Sequence, residues 1–263
     1  MAFYFLCLTF APKFNANELD RKIRVGAVSY LNTKPLLYGI ERSPVISEIE
    51  LTIDYPARIA AKLLNDEIDV GLVPVAIIPK LKTHYICTDY CIGSNGSVAS
   101  VCLFSEVPIH KIERVLLDYQ SRTSVQLAKI LLREYWKINP ETIDTKEDFR
   151  DRITGTTAAL VIGDRALEQR NISRFVYDLG YAWKDFSGLP FVFAAWISNK
   201  ILDDGFVQRF NAANQFGVDN IDSLLSSLHY DAFDLHEYYT NHISYFLDEE
   251  KRKGLDLFLQ YLL

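Results

Sequence analysis

An α/β protein of two lobes is what this sequence predicts, on three observations. Strand-like apolar runs alternate with amphipathic helix-like runs from Ile23 onward. The alternation pauses in "GSNGSVAS" and restarts at "RVLLD". Two long apolar runs, "SVASVCLFS" and "FVFAAWISN", bound the restarted part and are the segments best able to pass between lobes. They set the expected division: residues 22–103 plus 194–263 in lobe one, 104–193 in lobe two, and an extension over 1–21. Two lobes joined by two strands enclose a hinged cleft, where small ligands bind.

The elements follow in order. "IRVGAVS" reads as a buried strand. Thr33 is placed to cap a helix that carries Pro35 in its first turn. "IELTID" is the next strand, and "PARIAAKLLNDE" a helix begun by Pro56, with Ala60, Leu63 and Leu64 on its apolar face. "IDVGLVP" completes a β-α-β-α-β unit, which predicts parallel pairing with right-handed crossovers. The second unit runs through "RVLLD", the polar loop "YQSRTS", the helix "VQLAKILLREYW", the strand "TAALVIGD" and the helical "RALEQR". "FVFAAWIS" is a strand, and from Lys200 the pattern is mostly helical, ending in "DEEKRKGLDLFLQYLL".

Composition narrows the function. Of 263 residues, 49% are hydrophobic and 24% charged, as in an ordinary globular chain, and the net charge of −6 disfavours nucleic acid and anionic membranes as partners. Cys7, Cys87, Cys91 and Cys102 lack metal-ligand spacing and read as free thiols. The opening "MAFYFLCLTFAP" is apolar but has no basic start and no A-x-A-like site, so a cytoplasmic location is expected. "HEYYTNH" carries Thr240 where a zinc helix needs histidine, and no G-x-S-x-G, P-loop or G-x-G-x-x-G is present. No metal and no cofactor are expected. Asp203, Asp204, Glu249 and Glu250 read as solvated helix ends. Trp183, Phe186, Phe191, Phe193 and Trp196 read as core, with one or two walling the cleft.

In open α/β sheets ligands sit beyond the carboxyl ends of the strands, at helix N-termini. "SYLNT" holds that place in lobe one, with Ser29, Tyr30, Asn32 and Thr33, and Lys34 just inside the helix. "SRTS" holds it in lobe two, with Ser121, Arg122, Thr123 and Ser124. Helix capping alone accounts for either segment; their pairing, one per lobe, points to a ligand with two anionic groups. Gly96, Ser97 and Ser100 sit in the glycine-serine turn, and Gly163 and Asp164 close the strand "TAALVIGD".

"RVGAVSYLNTKPLLYGI" closely resembles the opening motif of chorismate dehydratases, the first enzymes of the futalosine route to menaquinone. The resemblance continues through "DVGLVPVA", "GSNGSVASVCLFS", "LDYQSRTSVQLAKILL", "DLGYAWKDFSGLPFVFAAW" and "YYTNHISYFLDEEKRKGLDLF", from Ile23 to Leu263. It implies a two-lobed fold like that of type II periplasmic binding proteins. It also implies a small dicarboxylate substrate, chorismate, which loses water to give 3-[(1-carboxyvinyl)oxy]benzoate in menaquinone biosynthesis, with Asn32 and Ser100 as catalytic residues. Ser29, Tyr30, Thr33, Gly96, Ser97, Ser121, Arg122, Thr123, Ser124, Gly163 and Asp164 are expected to bind it. Which segment takes which carboxylate stays open, as does the oligomeric state. A solute-binding protein that releases its ligand unchanged is the competing reading from another class. A later pathway enzyme of the same fold fits "SYLNTKP" less well.

Overall fold

The computed structural model describes residues 21–263, so Cys7 and most of the expected extension lie outside the described residues. Strands β1 (Ile23–Val28), β2 (Ile49–Asp54) and β3 (Val70–Pro74) alternate with helices α1 (Lys34–Arg42) and α2 (Pro56–Leu64). Both strand pairings within this unit, β1 with β2 and β1 with β3, are parallel, as the alternation predicts. Strands β4 (Tyr85–Ser94), β10 (Phe191–Ser198) and β11 (Ser244–Phe246) join antiparallel, giving the order β11-β4-β10-β3-β1-β2.

The second sheet has the order β7-β6-β8-β5-β9, from β5 (Val101–Ser105), β6 (Arg114–Leu117), β7 (Glu141–Asp144), β8 (Thr157–Ile162) and β9 (Phe175–Asp178). Here β6 pairs parallel with β7 and β8, and β5 pairs antiparallel with both β8 and β9. Helices α3 (Thr123–Glu134), α4 (Asp164–Arg170) and α5 (Leu179–Ser187) belong with it in sequence. Helices α6 (Asp204–Asp219), α7 (Ile221–Leu225), α8 (Leu235–Glu237) and α9 (Glu249–Gln260) complete the chain. The chain passes between sheets twice, through residues 95–100 and again through α5 and residues 188–190. A division by sheet membership thus falls a few residues from the boundaries expected at 103 and 194, because "VCLFS" pairs within the second sheet over its whole length.

Two local expectations are corrected. Thr33 stands at the start of α1 but caps nothing: Leu31–Thr33 forms a 3-10 turn, so Thr33 is already helical (φ −90°, ψ −19°) and its hydroxyl turns to Asn32. On α2 it is Ile59, Ala60 and Leu63 that are buried, with Leu64 half-buried, because the i, i+1, i+4 stripe follows the face toward β3. The acidic pairs do sit at helix starts: Asp203 caps α6 by accepting the Phe206 N–H at 3.0 Å, and Asp248 caps α9 ahead of Glu249 and Glu250. Trp183, Phe191 and Trp196 are fully buried, and the Trp196 indole donates to Asn214 Oδ1 at 3.0 Å. Helices α1 and α6 touch at Gly39 and Gly217, where a Cβ on Gly39 would run into the Ala213 carbonyl oxygen.

The opening of β1 is tied down by charge. Asp69, buried, accepts from Arg24 Nη2 at 2.8 Å, the Arg24 N–H at 2.9 Å and Arg21 Nη2 at 2.9 Å, with Lys200 Nζ at 3.3 Å. Burial alone would raise its pKa, but the Arg24 and Arg21 bonds outweigh it and hold the carboxyl well below the usual range. The folded pKa is thus below the unfolded value of roughly 4. The stability it contributes is complete above that value and lost as pH falls below it. Urea midpoints from about pH 5 down to 2 should fall more steeply for the wild type than for Asp69→Asn.

Candidate active site

In each sheet the first strand of the parallel unit lies between the second and third (β2-β1-β3 and β7-β6-β8). Connections from its carboxyl end therefore leave beside a topological switch point and open a crevice there. The two crevices meet in one cavity between the sheets. Tyr30 and Asn32 reach it from the loop after β1, Ser121, Thr123 and Ser124 from the loop and first turn after β6, and Gly163 from the end of β8. Val28, Ile92, Val101 and Phe193 supply apolar wall, so one of the expected aromatic residues does border the cleft.

The polar groups share a pattern. Thr123 Oγ1 accepts the Ala76 N–H at 3.1 Å across the cleft, and Ser121 Oγ accepts the Ser124 N–H at 3.1 Å. Asn32 Oδ1 accepts from the Thr33 hydroxyl at 3.2 Å, and the Asn32 carbonyl accepts from the Tyr245 hydroxyl at 2.9 Å. Each side chain has an acceptor engaged by the protein, leaving a hydroxyl or amide proton to donate to a ligand. The N-terminus of the twelve-residue α3 adds its dipole on the same wall.

Among the described residues lining the cavity there is no carboxylate, imidazole, amine, guanidinium or thiol; Tyr30 is the one titratable group. Burial raises the Tyr30 phenol pKa, the Asp118 charge adds to the rise, and Arg165 opposes it. Its hydroxyl donates across the cleft to Gln120 Oε1, and its ring covers Gly163, whose φ of +64° and closeness to that ring leave no place for a side chain.

Other residues singled out in the sequence stand outside the cavity. Ser29 is exposed at the end of β1. Arg122 lines a neighbouring groove with Lys80 and Asp144. Ser100 is fully buried, its hydroxyl accepting from the Tyr238 hydroxyl at 2.7 Å and lying 3.4 Å from the Val98 carbonyl oxygen. Gly96 (φ +126°) turns the first crossing, and the Ser97 hydroxyl donates to Asp178 at 2.7 Å. Asp164 accepts the Leu31 N–H at 3.0 Å, so it orients the Tyr30–Asn32 turn; burial raises its pKa.

Two groups that sequence reasoning passed over complete the surroundings. Asp118, at the end of β6, is buried, pairs with Arg165 Nη2 at 2.8 and 2.9 Å, and accepts the N–H groups of Gln120 and Ile162. Asp178 accepts from Ser97, Val98, Ala99, Gly180 and Tyr181, so one carboxylate ties both crossings together. A carboxylate at the end of "RVLLD", and the Asp-Leu-Gly preceding a helix, were the available signals. Cys87, Cys91 and Cys102 are free, and burial raises all three thiols, Cys87 and Cys91 to about 12. No group of three His, Cys, Asp or Glu among the described residues is placed to hold a metal ion, and none of the described helices is long and apolar enough to cross a membrane.

Residues 23–263 match the family described as menaquinone biosynthesis. A chorismate dehydratase of Thermus thermophilus is 26% identical over 262 residues, covering 90% of this chain and 94% of the relative. A solved protein from Archaeoglobus fulgidus is similar in structure with a TM-score of 0.73 at 16% identity, covering 92% of this chain and 97% of that one. A Candida albicans protein described as having the generic periplasmic binding protein fold gives a TM-score of 0.58 at 13% identity, covering 91% and 90%. The two structural likenesses, with the two sheets and the cleft between them, establish a two-lobed α/β fold of the periplasmic-binding-protein type.

Proposed function

The chain belongs to the menaquinone biosynthesis family, and on that premise we propose that it is a chorismate dehydratase, a carbon-oxygen lyase of the futalosine route working in the cytoplasm. The observation that supports this reading is the cavity between the sheets, lined by hydroxyl and amide groups from both sides and, among the described residues, by no carboxylate, imidazole or amine. Chorismate carries a ring carboxylate and an enolpyruvyl carboxylate, which match donor sets from two lobes.

In the reaction, the C–H bond at the ring carbon bearing the enolpyruvyl ether breaks and its electron pair forms the third ring double bond. The neighbouring C–O bond breaks, and the departing hydroxide takes a proton to leave as water. The equation balances without a cofactor, and aromatisation drives it. The protein's task is to hold one conformer and to stabilise the charge that shifts. The enolpyruvyl carboxylate of the substrate serves as the base. Asn32 donates to the ring carboxylate or the departing hydroxyl. Ser121 and Thr123, at the α3 N-terminus, hold the other carboxylate.

Chorismate esterified at the enolpyruvyl carboxylate tests this scheme. The ester should lose water at least roughly 10²-fold more slowly than chorismate, since a positioned base contributes on that order. Equal rates for ester and acid would refute substrate assistance.

A further inference from the structure

A side chain is aimed by its backbone, and the backbone of the cavity residue Asn32 is tied only in part by its own neighbours. It lies in the 3-10 turn Leu31–Thr33, where the Thr33 N–H donates to the Tyr30 carbonyl at 3.0 Å and the Lys34 N–H to the Leu31 carbonyl. The next acceptor in that ladder is the Asn32 carbonyl, and its donor would be Pro35, which has no N–H. The proline in the first turn of α1 thus leaves this carbonyl to be met from elsewhere.

Tyr245 meets it from 213 residues away, its hydroxyl donating at 2.9 Å. Strands β4, β10 and β3 stand between β11 and β1 in the sheet, so strand pairing does not bring the two residues together. The chain around Tyr245 is irregular. A π-helical turn over Tyr238–His242 leads into β11, and the register with β4 slips between Ser244, opposite Gly93, and Phe246, opposite Tyr90. Turns and bulges of this kind re-aim side chains beside functional sites. Here Tyr245 is turned inward and buried while Phe246 is exposed. A buried ring needs no hydroxyl for packing, whereas a buried phenol needs a partner, and the Asn32 carbonyl is one. Burial also raises the phenol pKa well above its ordinary value, so the hydroxyl keeps the proton it donates.

We propose that Tyr245 is a positioning residue for the reaction, its hydroxyl fixing the Asn32 peptide so that the Asn32 carboxamide meets the substrate in a productive direction. The proposal rests on the dehydratase reading and on the part Asn32 takes in it. With the Tyr245 bond in place, the peptide that follows Asn32 is held at both ends, its N–H on Tyr30 and its carbonyl on Tyr245.

Turnover of chorismate by wild type, Tyr245→Phe, Asn32→Ala and the double variant tests it, each measured well below its thermal midpoint. Tyr245→Phe keeps the buried ring and removes one hydroxyl. Its kcat should fall roughly 10-fold with KM within about threefold, as for a reacting group held slightly out of place. In the Asn32→Ala background the same change should alter kcat by less than about twofold, because its effect passes through a carboxamide that is no longer there. A hydroxyl that served the fold alone would lower both by the same factor. Unchanged kcat in Tyr245→Phe, or an equal loss in the two backgrounds, would overturn the role of Tyr245 alone. Wild-type turnover in Asn32→Ala would remove Asn32 from the reaction and this proposal with it. Absence of any dehydrated product from the wild type would overturn the dehydratase reading itself.

Discussion

Replacing Asn32 by Ala is expected to lower turnover of chorismate roughly 10²- to 10³-fold, the loss seen when one donor to developing charge is removed. Among the described residues its carboxamide has a single partner, the Thr33 hydroxyl donating to Oδ1 at 3.2 Å, so both amide protons of this cavity-lining residue are left for a ligand. The bond that fixes the turn, from the Tyr245 hydroxyl to the Asn32 carbonyl, belongs to the backbone and survives the substitution. The urea midpoint should therefore stay near that of wild type while kcat falls. Asn32→Asp gives a sharper comparison: it keeps the shape but sets an anion beside the ligand's carboxylate, so KM should rise as well. Near wild-type turnover in Asn32→Ala would remove Asn32 from the reaction.

Asp178→Ala is expected to be the most damaging single change to the fold among those considered. Its carboxylate accepts four backbone N–H groups and the Ser97 hydroxyl at 2.7 to 3.1 Å. Two of those donors, on Val98 and Ala99, lie in the first crossing. Ala99 is a non-glycine residue at φ +60°, a conformation that costs about 1–2 kcal/mol and persists because Asp178 receives its N–H. The other two open α5, the second crossing. Loss of the carboxylate strands these donors at once and should cost about 3–5 kcal/mol, lowering Tm by roughly 10 °C or more. Because Val98 lines the cavity, activity should fall even at temperatures where the variant is folded. Asp178→Asn, which keeps one acceptor oxygen, should lie between the two. A midpoint for Asp178→Ala within about 1 kcal/mol of wild type would show that the crossings hold themselves.

The parts legible in the sequence are those with a local signal. The unit from β1 to β3 was readable because buried parallel strands carry continuous apolar runs and their helices carry one apolar stripe. The two polar loops were readable because each breaks such a run at the carboxyl end of a strand. Strands β7 and β11 left no trace, being three- or four-residue edge strands whose half-exposed pattern resembles a loop. The interior polar links were invisible for another reason. Asp118 meets Arg165 across 47 positions, and Asp178 meets Ser97 across 81, and no spacing rule marks a pair that only the fold brings together. The same limit explains Ser100 and Ser29. A serine near a crossing or a strand end reads the same from sequence wherever the fold puts it, and here Ser100 is buried with the Tyr238 hydroxyl donating to it while Ser29 is exposed.

The most direct test of the dehydratase reading is the mass of what the purified protein makes from chorismate. The reading predicts a product lighter than chorismate by one water, carrying an aromatic ring and the intact enolpyruvyl group. Chorismate recovered at its own mass, though bound by the protein, would contradict it and favour a solute-binding role for the same cleft.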